Sequence, residues 1–296
     1  MRLVALVAVL CAAHVCRADQ RTQRLLERLA AEADAFVKAA PNLVSEETLH
    51  QRAIVPGKQR FQAAVGGGGP AERWRQRDIE SEYAFAKLGD PPEVRELRKV
   101  VAVDGKPYTK SDKAMEELMK TVSAGDDKAR KKLLEDFEKH GLIGTVTDFG
   151  QLLLLFSRGS QEKFSYLFAG EAMAGAEPCL VFTYQQLDGK GAMTVFDSTG
   201  RQQPRIKGEI WVTKNDFRPV RIRLASIRNE KNIAVREEAA VEYVATAHGV
   251  VAPVSVHHTQ YRDASIAAEN TFRYQPFRKF GSSTSVKFET EPQTKK

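Results

Sequence analysis

The sequence predicts an α+β fold: one large, continuous antiparallel sheet with a few helices to cover it. Three observations lead there. From Phe164 to Phe288 short alternating strands follow one another, with turn residues between them and no helix interposed. An amphipathic helix precedes the first strands, and a second helical stretch interrupts them between Ser111 and His140. Strands that succeed one another without crossover helices pair antiparallel, as a meander.

Taken in order, Arg2, the apolar run Leu3 to Val15 and then Cys16-Arg17-Ala18 fit the basic, apolar and small-residue regions of a secretory signal. Residues 1-18 are expected to be removed after Ala18, which places the protein in the periplasm or outside the cell. The remainder, 19-296, reads as a single domain. Its net charge falls from +7 to +5 with the loss of Arg2 and Arg17. Of three cysteines only Cys179 survives, so no intrachain disulfide is possible and stability must come from burial.

Leu25, Leu29, Ala33 and Phe36 recur at helical spacing up to Ala40-Pro41. The chain is then extended from Val44 to Ile54. The stretch 56-74, with Gly66 to Gly69 before Pro70, reads as a flexible loop; no Lys-Ser or Lys-Thr pair follows to make it a phosphate loop. Strands are expected at Arg77 to Leu88 and Val94 to Val103, where Asp78, Glu80 and Glu82 oppose Arg95, Arg98 and Lys99 as a cross-strand ladder. Met115, Leu118, Met119 and Val122, then Leu133, Leu134 and Phe137, make two apolar stripes split at Gly125. That is a helical pair, the main part of an insert over 111-158. Leu152 to Phe156 is apolar on every side, so it is buried either as a short helix, with Asp148 as its cap, or as a central strand; periodicity does not decide between them, and the helix is the preferred reading.

The remaining strands are expected at Lys163 to Met173, Pro178 to Gln186, Ala192 to Asp197, Ile206 to Thr213, Pro219 to Ile227, Ile233 to Ala245, Val250 to Arg262 and Ser265 to Phe277. Asp188-Gly189 would join the second of these to the third. Alternation is clearest where Ile206, Gly208, Ile210 and Val212 oppose Lys207, Glu209 and Trp211, and where Val220, Ile222 and Leu224 oppose Arg221 and Arg223.

No catalytic set emerges. His257 and His258 are neighbours on one strand and so point to opposite faces, which spoils them as a metal pair. Cys179 sits before Leu180-Val181-Phe182, where a buried, inert thiol is expected. Asp148-Phe149-Gly150 matches a kinase tripeptide without any of its companion motifs, and no nucleophile elbow or zinc helix is present. No cofactor is expected.

Charge is uneven. Nine Lys or Arg against three Asp or Glu fall between Arg201 and Lys231. Arg205, Lys207, Lys214, Arg218, Arg221 and Arg223 would give this hairpin a basic surface, suited to an anionic membrane or an acidic envelope protein. A solvated face that discourages sheet-to-sheet sticking is the plainer reading. Nucleic acid is not expected, because aromatic residues do not interleave with the basic ones.

Lys207-Gly208-Glu209-Ile210-Trp211-Val212 followed by Phe217-Arg218-Pro219-Val220-Arg221-Ile222, with Gly249-Val250-Val251-Ala252-Pro253 beyond, resembles the periplasmic lipoprotein-carrier and lipoprotein-sorting (LolA/LolB-like) family over about residues 164-274. The resemblance implies an unclosed, curved half-barrel whose concave face, covered by helices, holds acyl chains or another hydrophobic ligand. On that analogy Tyr83, Phe85, Ile210, Val212, Ile222 and Leu224 would line the ligand site, under the first helix and the insert. The chain departs from the small carriers in its length and in its Ser111 to Gly141 insert.

Three functions are therefore weighed. The first is an exported, non-catalytic protein holding a lipid, a lipid-modified protein or another hydrophobic ligand in a cleft. The second is a structural or interaction module of the cell envelope with a filled interior. The third, a hydrolase with a carboxylate pair, would need two facing acids in a cleft.

Overall fold

A computed structural model describes residues 2-55, 73-125, 127-142, 148-197, 200-230 and 232-280. The Gly66 to Gly69 loop lies outside them, as does the strand expectation beyond residue 280. In chain order the elements are helix α1 (Arg2–Ala39), strands β1 (Leu43–Val55), β2 (Arg73–Leu88), β3 (Glu93–Val103) and β4 (Lys106–Pro107), and helices α2 (Ser111–Ala124) and α3 (Asp127–His140). There follow β5 (Phe164–Ala174), β6 (Glu177–Gln186), β7 (Val195–Asp197), β8 (Gly200–Gln202), β9 (Arg205–Thr213) and β10 (Pro219–Glu230). The chain continues through β11 (Ile233–Ala245), β12 (Val251–Arg262), β13 (Ser265–Tyr274) and β14 (Arg278–Lys279). Short 3-10 turns occupy Ala40–Asn42, Leu152–Phe156 and Gln161–Lys163.

Among the described residues twelve strands form one antiparallel sheet, in the order β4-β3-β2-β1-β13-β12-β11-β10-β9-β6-β5, with β14 beside β1. It does not close: β4 and β5 stand at opposite edges. The expected meander runs through β9 to β13, and the long-range step is β13 returning to β1, where Leu49 faces Phe272 and Gln51 faces Asn270. One apolar cluster unites α1 with side chains from both ends of the sheet, including Val94, Phe85, Phe272, Val241, Ile210, Phe182 and Phe164. Gly150 lies against both Glu96 of β3 and Pro253 of β12, four strands apart, which a flat sheet could not allow. The sheet curls around its core as a half-barrel.

The helices cover it on both sides. Leu25, Leu29, Ala33 and Phe36 of α1 are buried in the inner cluster, as their spacing requires. Leu118 and Met119 of α2 pack with Val44, Ala84, Ala86 and Leu97, which are the opposite, outer face of β1, β2 and β3. On α3, Leu133 belongs to this outer cluster and Phe137 to the inner one, so the helix lies along β3 and shields a strand whose edge away from β2 pairs only with two-residue β4. No helix among the described residues is long and apolar enough to cross a membrane. The expected signal boundary after Ala18 falls within α1.

Several expectations need correction. β2 begins at Arg73, not Arg77, because its early residues pair with Gln51 to Val55 of β1. Ala192 to Asp197 is not a sheet strand. Only Val195–Asp197 is extended, and it pairs with β8 in a separate two-stranded ribbon, while β6 pairs directly with β9. The Asp188-Gly189 turn therefore leads the chain out of the sheet, and Ala192 and Met193 pack on the core instead. Asp148 caps nothing: the Leu152–Phe156 turn begins at Gln151 without a side-chain cap, and the Asp148 carboxylate faces Arg130 and Arg95.

The charge ladder forms only in part: Glu82 and Lys99 are direct cross-strand partners, and the rest does not pair as read. A bulge between Glu80 and Ser81 shifts the β2–β3 register. Arg98 turns inward, Lys99 pairs with Glu117 and Asp136 of the helices, and Asp78 pairs with His50 at 2.7 Å. Strand residues alternate faces, so neighbours Arg98 and Lys99 could not both have joined one ladder.

Candidate functional site

The six residues expected to line a ligand site do share the inner face. Tyr83 and Phe85 come from β2, Ile210 and Val212 from β9, and Ile222 and Leu224 from β10; Ile210 and Ile222 are direct cross-strand partners. The two groups sit on opposite arms of the half-barrel and meet through the core. Each is at most 2 % exposed. No ligand-sized void adjoins these side chains.

The space is taken by the cover. Phe36 of α1 stands edge-on to Phe85 at 5.0 Å, and Phe85 in turn to Tyr83 at 5.1 Å. At the other arm Phe156 packs on Tyr184 at 4.9 Å and on Phe164 at 5.7 Å. The two pieces of cover are tied together by Gln161, whose Nε2 donates to the carbonyls of Leu26 at 2.6 Å and Phe156 at 2.9 Å. Beside this seam Thr22, Gln23, Leu26, Glu27, Ala30, Arg158 and Gln161 line a groove of about 330 Å³.

The inner face has a polar half that sequence reasoning missed. Arg98 Nε donates to both oxygens of Glu47, at 2.8 and 2.9 Å, and Arg98 Nη2 hydrogen-bonds Glu96. All three are buried, and Arg98 lies over the rings of Tyr83, Phe137 and Phe272. Burial pushes the Glu47 and Glu96 carboxyls above the ordinary range, the latter to about 7. Further along, Gln51 Nε2 donates to Asn270 Oδ1 at 2.9 Å, and Asn270 Nδ2 meets His258 Nδ1 at 3.1 Å. Desolvation holds His258 down to about 4, so the ring is neutral. These residues sit at apolar-face positions of their strands; the period-2 pattern marked the face, and their polarity was the overlooked signal.

The neighbouring histidine, His257, points outward as its alternation requires, and Cys179 is buried with its thiol pushed up by desolvation. Among the described residues no three His, Cys, Asp or Glu stand close enough to hold a metal ion.

The basic surface is interlaced with acids. Arg205 pairs with Asp188 at 2.6 Å, Lys214 with Glu171 at 2.7 Å, Arg218 with Asp216 at 4.0 Å and Arg223 with Glu209 at 3.4 Å. Arg221 meets Glu242, and both Arg221 and Arg223 lie over the Trp211 ring. Lys207 stands on the same outer row, exposed. The excess positive charge visible in the sequence is thus offset by acids from β5, β11 and the turn after β6.

Fold and site together define a half-barrel with an apolar interior sealed by its own helix and turn. Solved structures similar to this chain include a DUF1329 family protein from Desulfovibrio piger, at 13% identity and TM-score 0.33 over 88% of this chain and 95% of that one. A putative outer membrane lipoprotein-sorting protein domain from Vibrio parahaemolyticus follows, at 10% identity and TM-score 0.32 over 88% and 94%. A LolA superfamily protein from Nitrosomonas europaea matches at 10% identity and TM-score 0.27 over 83% and 93%. No protein-family model matches the chain. No curated protein matches it either. The architecture described above rests on this chain's own strand registers.

Proposed function

We propose that this is an exported, non-catalytic protein that takes a lipid acyl chain, free or attached to a protein, onto the inner face of the half-barrel. The observation that supports it most is the apolar interior closed by separable pieces. Leu25, Leu29, Phe36, Leu152, Leu153 and Phe156 come from a helix and a turn, and none is itself a strand of the sheet. Uncovering those six side chains would cost roughly 9–18 kcal/mol at ~1.5–3 kcal/mol each. Burying a sixteen-carbon chain returns about 12 kcal/mol at ~0.8 kcal/mol per methylene. The two are comparable, so a ligand can exchange for the cover.

The test is uptake of a fluorescent fatty acid by the purified protein. Saturable uptake, enhanced when Leu29→Ala or Phe36→Ala thins the cover, supports the reading. No uptake by the wild type or by either variant counts against it.

A second reading, an envelope interaction module with a filled interior, is favoured by the near-zero exposure of the six inner residues. It also has a docking edge, since β5 is an edge strand among the described residues, with Leu167 69 % and Met173 58 % exposed. Crosslinking through Lys207 or Lys214 that recovers one discrete partner, in a protein that takes up no lipid, would favour this reading over the first.

A further inference from the structure

Beneath the segment Asp148–Phe156 the floor of the half-barrel holds more carboxyl than cation. Glu47 and Glu96 share the guanidinium of Arg98, all three buried. Glu96 spends Oε2 on Arg98; its Oε1 is buried without a hydrogen-bond partner. That oxygen faces the covering segment closely: a Cβ on Gly150 would stand 2.9 Å from Glu96 Oε1 and 3.1 Å from the equally unpartnered Tyr83 hydroxyl.

The charged and titratable groups around Glu96 come from every element packed there. They are Glu47 of β1, Tyr83 of β2, Arg98 of β3, Tyr243 of β11, Tyr274 of β13 and Asp148 of the cover. Asp148 is itself held by Arg130 at 3.5 Å and Arg95 at 4.0 Å, so neither cation is available to Glu96. Two carboxyls against one guanidinium are balanced by a single proton. Ionising both leaves a buried charge without a counter-ion directly under Gly150 and near a second carboxylate.

We propose that Asp148–Phe156 is a proton-gated latch: it stays seated while Glu96 carries a proton, and it loosens when Glu96 releases that proton to solvent. Opening hydrates the carboxylate and separates it from Asp148, so the ionised form belongs to the open state. This rests on reading the segment as the cover of the inner face and needs no ligand. Burial raises Glu96 from the ordinary 4.5 to about 7 when the latch is shut. By linkage the open population then grows up to ~10-fold per pH unit between those two values and levels off above the higher one.

Amide hydrogen exchange of the full chain, corrected for intrinsic rates, reads this at the Leu153 N–H, which is bonded across the latch to Tyr243. In the wild type its protection should fall ~10-fold per unit from about pH 5 to about pH 7 and then level. In Glu96→Gln it should be high and independent of pH. A flat wild-type profile, or a Glu96→Gln variant that keeps the wild-type slope, overturns the latch. Should that variant not fold, Asp148→Asn serves in its place: with the neighbouring carboxylate gone, the levelling point should move to lower pH, and an unmoved profile overturns the proposal. Lipid uptake is measured separately, so the latch and the ligand reading fail independently.

Discussion

Tyr243 and Leu153 join the sheet to its cover. The Tyr243 hydroxyl accepts a hydrogen bond from Leu153 N at 3.1 Å and donates to the Gly150 carbonyl at 3.1 Å, so one phenol on β11 holds both backbone groups of the Leu152–Phe156 turn region. Tyr243→Phe keeps the ring and orphans both groups. The expected loss is ~1–3 kcal/mol of stability by urea unfolding, with faster amide exchange confined to 148-156. Exchange that rises evenly across the sheet would argue against an anchoring role.

The close crossing of β9 and β10 depends on a missing side chain. A Cβ on Gly208 would stand 1.9 Å from the Arg223 carbonyl oxygen, which also accepts a hydrogen bond from the Tyr184 hydroxyl at 2.9 Å. Backbone cannot swing aside as a side chain can. Gly208→Ala should cost ~1–3 kcal/mol or more and disturb β6, β9 and β10 together, seen as a lower thermal midpoint.

Arg98 holds the polar half of the interior. Removing it with Arg98→Met strands two buried carboxyls and should destabilise by ~3–5 kcal/mol in chemical denaturation at neutral pH. Combining it with Glu47→Gln and Glu96→Gln should recover much of that loss. A triple variant no more stable than Arg98→Met would contradict the charge-balance account.

Stability against pH should show two opposing slopes. Glu96 binds its proton more tightly folded than unfolded, with about 7 against 4.5, so its contribution falls as pH rises through that window. His258 binds its proton less tightly folded, with about 4 against 6.5, so its contribution rises with pH over that interval. Glu96→Gln should therefore unmask a steeper rise in stability towards neutrality, and His258→Gln should flatten it. Denaturant titrations across this range read both; parallel curves for wild type and Glu96→Gln would remove Glu96 from the account.

Much of this architecture is visible in the alternation of the chain. The rows Ile206 to Val212 and Val220 to Leu224 put the right residues inward, and the Leu25 to Phe36 stripe identified the helix that covers them. The return of β13 to β1 was not visible, because Gln51 and Asn270 are far apart in sequence and nothing local records their pairing. Nor was the direction of Arg98: its alternation with Val94 and Val100 turns it inward, but an arginine in a strand reads as exposed until its partners Glu47 and Glu96 are seen. The Arg201 to Lys231 charge excess was correctly counted, but Asp188, Glu171 and Glu242 lie outside the interval and offset part of it in space.

The central claim is that the interior exchanges its cover for an acyl chain. Native mass spectrometry of the protein purified without detergent, before and after incubation with a long-chain fatty acid, measures it directly. A bound species heavier by the mass of one lipid, lost when Cys pairs crosslink α1 to the Gln161 segment, is the predicted result; an unliganded protein under both conditions would contradict it.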